Sequence, residues 1–178
     1  MRDITKEELT DILAKHRDWL SGNGGEQADF SACNLSGSDL SGSDLRYSDL
    51  RYSDLSACNL SACNLSGSDL SDSDLRYSDL RYSDLSACNL SDSEVNYATG
   101  NMVQIKSLFL DEWAVVYLSE YLHIGCERHL ITEWWNFSDE RIAQMDSGAL
   151  EWWKKYKGFI RQAIELSPAV PTGHEDAA

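Results

Sequence analysis

Between Phe30 and Val95 an apolar residue returns at every fifth position: Leu35, Leu40, Leu45, Leu50, Leu55, Leu60, Leu65, Leu70, Leu75, Leu80, Leu85 and Leu90 lie between the two ends of the series. No helix and no flat strand has that period. A helix would wrap these leucines round its whole circumference, and a strand would send alternate ones to opposite faces. A short, fixed internal period signals instead a solenoid, in which each unit buries its apolar face only by stacking on its neighbours.

A second regularity lies two residues before each of these positions. Ala28, Cys33, Ser38, Ser43, Ser48, Ser53, Cys58, Cys63, Ser68, Ser73, Ser78, Ser83, Cys88, Ser93 and Ala98 are all small. Residues two apart in an extended segment point the same way. Each block therefore offers one small and one large side chain to a common interior, separated by an outward polar residue that is almost always Asp or Asn. The predicted structural core is the Phe30 to Val95 series with Cys33, Cys58, Cys63 and Cys88.

The pattern of a small residue, Asp or Asn, Leu and two variable residues, as in "SDLRY", "SDLSG" and "CNLSA", resembles the pentapeptide repeat family over residues 26 to 98. The resemblance implies an all-β solenoid, a right-handed quadrilateral β-helix: each block forms one side of a square, four blocks make a coil, and coils stack with β-like spacing. Where the family favours Ala at the small inward site, this chain mostly has Ser. A buried hydroxyl needs an acceptor, so these serines are expected to bond to backbone carbonyls of the coil, at some cost relative to Ala.

Block types also follow an order. "SGSDLSGSDLRYSDLRYSDLSACNLSACNL" from Ser36 to Leu65 is followed by nearly the same order from Ser66 to Leu90, a period of thirty residues. Thirty does not divide into twenty-residue coils, so like blocks migrate from face to face. Drift usually erodes such order in a natural repeat, which raises a consensus or engineered repeat body between natural-looking caps as an alternative to a natural one.

Solenoid ends expose core and unpaired backbone, and need covers. Thr5 with Glu8 forms a capping box, Ile4 and Leu9 sit at staple positions, and Leu9, Ile12, Leu13, His16, Trp19 and Leu20 make one helical face. Residues 1–25 therefore read as an N-terminal helical cap, and residues 26–100 as the repeat body. The period is lost from Met102. "MVQIKSLFL" and "AVVYLSEYLHI" read as strands around a turn at "DEW", Ser138 is placed as an N-cap, and residues 148 to 165 form an amphipathic helix. Residues 101–167 form the C-terminal β-plus-α cap, and 168–178 a tail expected to be disordered. The helix carries Leu150, Trp153, Tyr156, Ile160 and Ile164 on one side, widened by Trp152 and Phe159. That stripe either packs over the last coil or makes a homodimer contact, so the expected state is a monomer or a dimer through this helix.

The repeat serines have no histidine or carboxylate placed to activate them, and the expectation is a non-enzyme with no cofactor. His123, Cys126 and His129 have ligand-like spacing but lack the second paired motif of a zinc site. The glycine-rich nonapeptide that cradles calcium in other β-rolls is absent. Four of the five cysteines occupy the same repeat position, which speaks for packing and against a disulfide framework. The charged N-terminal stretch is unlike a signal peptide, and no run is long enough to span a membrane, so a cytoplasmic location is expected.

What remains is surface. The whole chain carries a formal charge of -15, which argues against attraction to nucleic acid or an anionic membrane and for a protein partner. Residues 26–95 hold thirteen Asp and Glu against four Arg, a net of nine negative charges. At ~4.8 Å per coil this stretch is about 17 Å long, and its charge density of about one per 2 Å approaches the one per 1.7 Å of duplex DNA. Some pentapeptide repeat proteins resemble duplex DNA closely enough to bind DNA gyrase, so the resemblance implies two roles: a rigid acidic scaffold for protein binding, or a DNA mimic that binds a type II topoisomerase. Binding is assigned to the outward Asp residues and to Arg46, Tyr47, Arg51, Tyr52, Arg76, Tyr77, Arg81 and Tyr82.

Overall fold

The computed structural model describes residues 1–174. Its middle is a coil with a strict twenty-residue turn. Parallel backbone bridges join residue i to i+20 all along it, from Asp29↔Asp49 to Asp79↔Thr99. Each side of the coil contributes paired bonds: the Leu60 N–H donates to the Asp79 carbonyl at 2.8 Å, and the Asn59 N–H to the Ser38 carbonyl at 3.0 Å. Four five-residue blocks thus make one turn, and each block is a short extended side followed by a two-residue corner. The corner is closed by the N–H of the next small residue on the preceding leucine carbonyl, as from Ser38 to Leu35 at 3.0 Å.

Phe30, Leu35 to Leu85 and Val95 are fully buried, and so are Cys33, Cys58, Cys63 and Cys88; Leu90 is only half-buried, beside a cleft under the following sheet. The inward hydroxyls of Ser48, Ser53, Ser68, Ser73 and Ser78 donate to the leucine carbonyl three residues before, at 2.6–2.7 Å. Cysteines at the same block position choose differently. Cys58, Cys63 and Cys88 donate to leucine carbonyls of the coil beneath, Leu35, Leu40 and Leu65, at 2.8–2.9 Å. Burial pushes these three thiols up to about 11, so they stay protonated.

At the start of the coil, β1 (Arg2–Asp3) pairs in parallel with β2 (Cys33–Asn34), extending the column that continues through Asp54, Asp74 and Glu94. Helix α1 (Lys6–Leu20) follows. Its capping box is complete: the Glu8 N–H donates to the Thr5 hydroxyl, and the Thr5 N–H to the Glu8 carboxylate. Ile4, Leu9, Ile12 and Leu13 then lie against the first leucines, and buried His16 accepts the Ala28 N–H on Nδ1 at 3.0 Å.

The coil ends at Gly100 and Asn101. The Asn101 Oδ1 accepts the N–H groups of Val103, Gln104 and Ile105 at 3.0–3.1 Å, which turns the chain out of the solenoid. A Cβ on Gly100 would stand 2.0 Å from the Ile105 carbonyl oxygen, so only glycine fits this exit. A four-stranded antiparallel sheet follows, in the order β3 (Lys106–Leu110), β4 (Trp113–Tyr117), β5 (Tyr121–Ile124) and β6 (Glu127–Leu130). Alternation gives the sheet two apolar faces. Val116 and Leu118 join the leucine core, whereas Val115, Tyr117 and Leu122 join a second core with α2 (Ile131–Asn136), α3 (Asp139–Ala143) and α4 (Ala149–Leu166).

Two expectations are corrected here. The stripe of α4 packs neither over the last coil nor outward. Trp152, Trp153 and Ile160 are buried against the far face of the sheet, with Leu150 and Tyr156 half-buried beside them, and only Phe159 is exposed. A sheet with one free apolar face needs its own cover, so most of the stripe is used within the chain, and Phe159 is the part of it left exposed. The tail is also placed as far as residue 174. Ala169 is buried, the Val170 N–H donates to the Val103 carbonyl at 2.9 Å, and the Thr172 carbonyl accepts the Ala87 N–H. Earlier residues of this kind, such as Ala57 and Ala62, donate to the coil above; for Ala87 no further coil exists, and the tail supplies the acceptor. Residues 175–178 lie outside the described residues.

Leu60→Ala should lower stability by about 2–5 kcal/mol, because it opens a cavity in a core that cannot collapse. Ser53→Ala should change it by less than about 1 kcal/mol, since the Leu50 carbonyl keeps the residue-53 N–H. Gly100→Ala should cost more than about 2 kcal/mol through its backbone clash. Denaturant unfolding followed by circular dichroism ranks all three.

Candidate interaction surface

The outward Asp and Asn residues are not free chains on a rod. In every block from Asp29 to Asn89 the side-chain Oδ1 accepts the backbone N–H two residues on, at 2.9–3.4 Å. This local turn motif satisfies the donor at the corner of the square. Where the next residue is Ser its hydroxyl usually binds the same oxygen, as for Ser56 on Asp54 at 2.6 Å. Where it is Arg, the guanidinium folds back as a fork onto the carboxylate. Arg46, Arg51, Arg76 and Arg81 place Nε 2.8–2.9 Å from Asp44, Asp49, Asp74 and Asp79. The four arginines assigned to binding are therefore already paired with their own blocks.

The second corner residue of each block has φ between +52° and +70°, from Ala32 through Met102. Gly37, Gly42 and Gly67 accept this without strain, whereas Ala, Asp and Tyr do not. The conformation throws the four tyrosines outward: Tyr47, Tyr52, Tyr77 and Tyr82 are all more than half exposed. The twenty-residue register puts each on a different corner. Tyr47 lies over Gly67, whose missing Cβ leaves room for the ring, and meets Trp19 edge-on; Tyr77 stacks on Tyr97 with centroids 5.0 Å apart.

The same register distributes the acid unevenly. All four bridge columns contain at least one uncharged residue, as in Asp39, Asn59, Asp79 and Thr99. Two neighbouring columns, Asp29, Asp49, Asp69 and Asp54, Asp74, Glu94, are acidic in three successive coils, and the corner between them holds Asp72 and Asp92 one coil apart. Asp72, Asp92 and Glu94 are exposed, above exposed Tyr52. Arg128, at 3.3 Å from Asp92, compensates part of this edge.

His123 and His129 fall on opposite faces of the sheet, because His123 pairs with Arg128 and Leu122 with His129. His123 is buried, has its Nδ1 3.2 Å from the Asn96 Oδ1, and is held down to about 3 by burial and by Arg128. His129 lies 2.9 Å from Glu127 and packs edge-on against Trp134 and Phe137. Cys126 is exposed on the turn between them. No helix among the described residues is long and apolar enough to cross a membrane.

Residues 26–61 and 53–92 match the family described as pentapeptide repeats, in eight copies. Among solved structures, a pentapeptide repeat protein from Nostoc PCC 7120 is 33% identical and aligns with 49% of this chain and 73% of its own, at a TM-score of 0.28. The chain belongs to the pentapeptide repeat family. A pentapeptide repeat protein from the Arabidopsis thaliana thylakoid lumen is 26% identical over 42% of this chain and 55% of its own, at a TM-score of 0.31. QnrB1, a plasmid-mediated fluoroquinolone resistance protein, is 20% identical over 40% of this chain and 48% of its own, at a TM-score of 0.26. The chain thus spans about half the length of the Arabidopsis and QnrB1 structures. Comparison with curated proteins found no match.

Five carboxyls of this pentapeptide repeat surface titrate low for local reasons. The guanidinium fork lowers Asp44, Asp49 and Asp79, and the Ser41 and Ser86 donors lower Asp39 and Asp84. Their folded values lie below the unfolded value of about 3.9. The linked stability is therefore fully present above that pH and is lost as pH falls through the folded values. Urea unfolding midpoints should already decline below about pH 6.5, where the unfolded chain takes up the proton that buried His123 refuses, and should fall more steeply below about pH 4, where the carboxyls add to the loss.

Proposed function

We propose that this chain is a non-enzymatic interaction scaffold that binds a basic protein surface through the acidic edge of its solenoid, with the flanking helix and sheet acting as caps. The observation that carries this is the vertical run of Asp54, Asp72, Asp92 and Glu94, held in register by the i to i+20 backbone ladder. A stiff backbone fixes the spacing of these charges before a partner arrives, which lowers the ordering cost of association. Exposed acidic residues in a row also steer a basic partner by long-range attraction. Exposed Tyr52 at the foot of the run adds an amphipathic anchor of the kind that concentrates binding energy.

A second reading, a DNA mimic that occupies a type II topoisomerase such as DNA gyrase, is favoured by one observation: the net nine negative charges of residues 26–95 approach the charge spacing of duplex DNA. Against it stands the back-folding of the four arginines, which confines the uncompensated acid mainly to one edge, where a duplex would show two helical rows.

Both readings can be tested with one variant, Asp72→Lys/Asp92→Lys/Glu94→Lys, whose three sites are exposed and leave the leucine core untouched. Wild type and variant would be titrated against purified basic proteins, DNA gyrase among them, at two salt concentrations. The scaffold reading expects binding that weakens with salt and loses about tenfold or more on charge reversal; binding indifferent to both overturns it. Salt-sensitive inhibition or protection in a gyrase supercoiling assay would establish the mimic, and no effect at high excess would eliminate it.

A further inference from the structure

Four of the six tryptophans of the chain close round one cavity, away from the acidic edge. Trp113 on β4, Trp134 on α2, and Trp152 and Trp153 on α4 line a half-open space of about 220 Å³, and Tyr97 of the last coil reaches its wall. Trp134, Trp152 and Trp153 are buried, so their positions are fixed by the second core. Trp113 and Trp152 meet edge-on with centroids 5.2 Å apart, and Trp134 and Trp153 lie tilted at 5.4 Å. Protein interiors ordinarily pack to the density of organic crystals, and a concave space lined by this much aromatic surface is the usual form of a small-molecule site.

The polar groups of the cavity have one sign. The indole N–H of Trp134 donates to the Leu122 carbonyl at 2.8 Å, and that of Trp152 to the Leu110 carbonyl at 3.0 Å. With these donors committed to backbone, the two rings offer π surface. The charged residues that line the space are Glu127 and Asp146, and no Lys or Arg lines it. Glu127 Oε2 is shared with His129 at 2.9 Å and Arg141 at 3.6 Å, whereas Asp146 is exposed at the rim and uses Oδ1 on the Gly148 N–H at 3.0 Å. Gly125 and Gly148 lie beside the Trp113 ring, where a Cβ would make only ordinary van der Waals contact at 3.7–3.9 Å.

We propose that this cavity binds a small quaternary ammonium compound of the choline class. A methylated cation has no N–H to satisfy and is attracted by the negative faces of aromatic rings, most strongly by indole. The walls supply indole surface, of which the Trp153 ring is partly taken by stacked Trp135 at 5.6 Å and by Lys157 at 5.3 Å, and the rim supplies the Asp146 carboxylate, which has no ion pair among the described residues. The volume suits a trimethylammonium head and is small for a drug-sized ligand. A zwitterionic relative such as glycine betaine carries a carboxylate toward Asp146 and is disfavoured. The site owes nothing to the acidic edge, so it stands or falls independently of the scaffold.

The test uses the full chain and three probes: choline, glycine betaine, and the neutral isostere 3,3-dimethyl-1-butanol. Choline should quench tryptophan fluorescence saturably at millimolar concentration, with the neutral isostere and betaine each weaker by about tenfold. Cys126 stands exposed on the cavity lining while the other four cysteines are buried, so its alkylation rate reports occupancy at this place. Choline should slow that reaction several-fold, and the isostere should not. Asp146→Asn, which keeps the oxygen that accepts the Gly148 N–H, should weaken choline several-fold and leave the isostere unchanged. Equal affinity for choline and the isostere, quenching without protection of Cys126, or the absence of saturable choline binding would each overturn the proposal.

Discussion

Everything in this molecule depends on the parallel backbone ladder that returns every twentieth residue. It sets the square cross-section, because two inward positions, the outward residue between them and a two-residue corner fill each five-residue side. It stacks Leu on Leu in a core with no space for a charge, and it forces the inward serines to satisfy their hydroxyls on carbonyls within reach. It also demands a left-handed residue at each corner, a conformation that costs about 1 kcal/mol or more wherever the residue is not glycine. That repeated cost is offset by the paired backbone bonds and buried leucines of every block.

The surface is subordinate to the same ladder. Each outward Asp or Asn spends an oxygen on its own corner, so the acidic face is partly structural, and its arginines are local partners and not a separate basic patch. Such exposed forks contribute little stability, about 0–1 kcal/mol each. Their larger effect is on the field: charge cancels in "SDLRY" blocks, where Arg follows the leucine, and survives where Ser follows it. The uneven acidic edge is thus set by block order read against a twenty-residue turn.

The leucine period made the solenoid and its core legible from the sequence, and the paired small positions made the inward serines legible with their need for acceptors. The corner bonds were legible in principle, since Asp or Asn followed two residues later by Ser or Arg is a local turn signal, but periodicity draws attention inward. The second core was not legible. "AVVYLSEYLHI" shows that strands form, yet nothing in it says that a four-stranded sheet would stand between α4 and the last coil. Nor could the cavity be read ahead: Trp113, Trp134 and Trp152 are far apart in sequence and meet only because the sheet turns twice before the helices return. The tail escaped for a simpler reason. "SPAVPTG" has the composition of a loop, and composition does not reveal that its backbone completes a partner's hydrogen bond.

That tail and β1 stand at opposite ends of the solenoid, where each pairs with backbone that no further coil meets and so acts as a seal. Arg2 and Asp3 lie along the first coil, and Thr172 meets Ala87 at the other end. During synthesis the first seal emerges from the ribosome before any coil exists, and the second only after the whole body has formed. For that interval the growing rod has one finished end and one open template. An open template of this kind accepts any strand with the right spacing, and the neighbour best matched to it would be another copy of the same repeat.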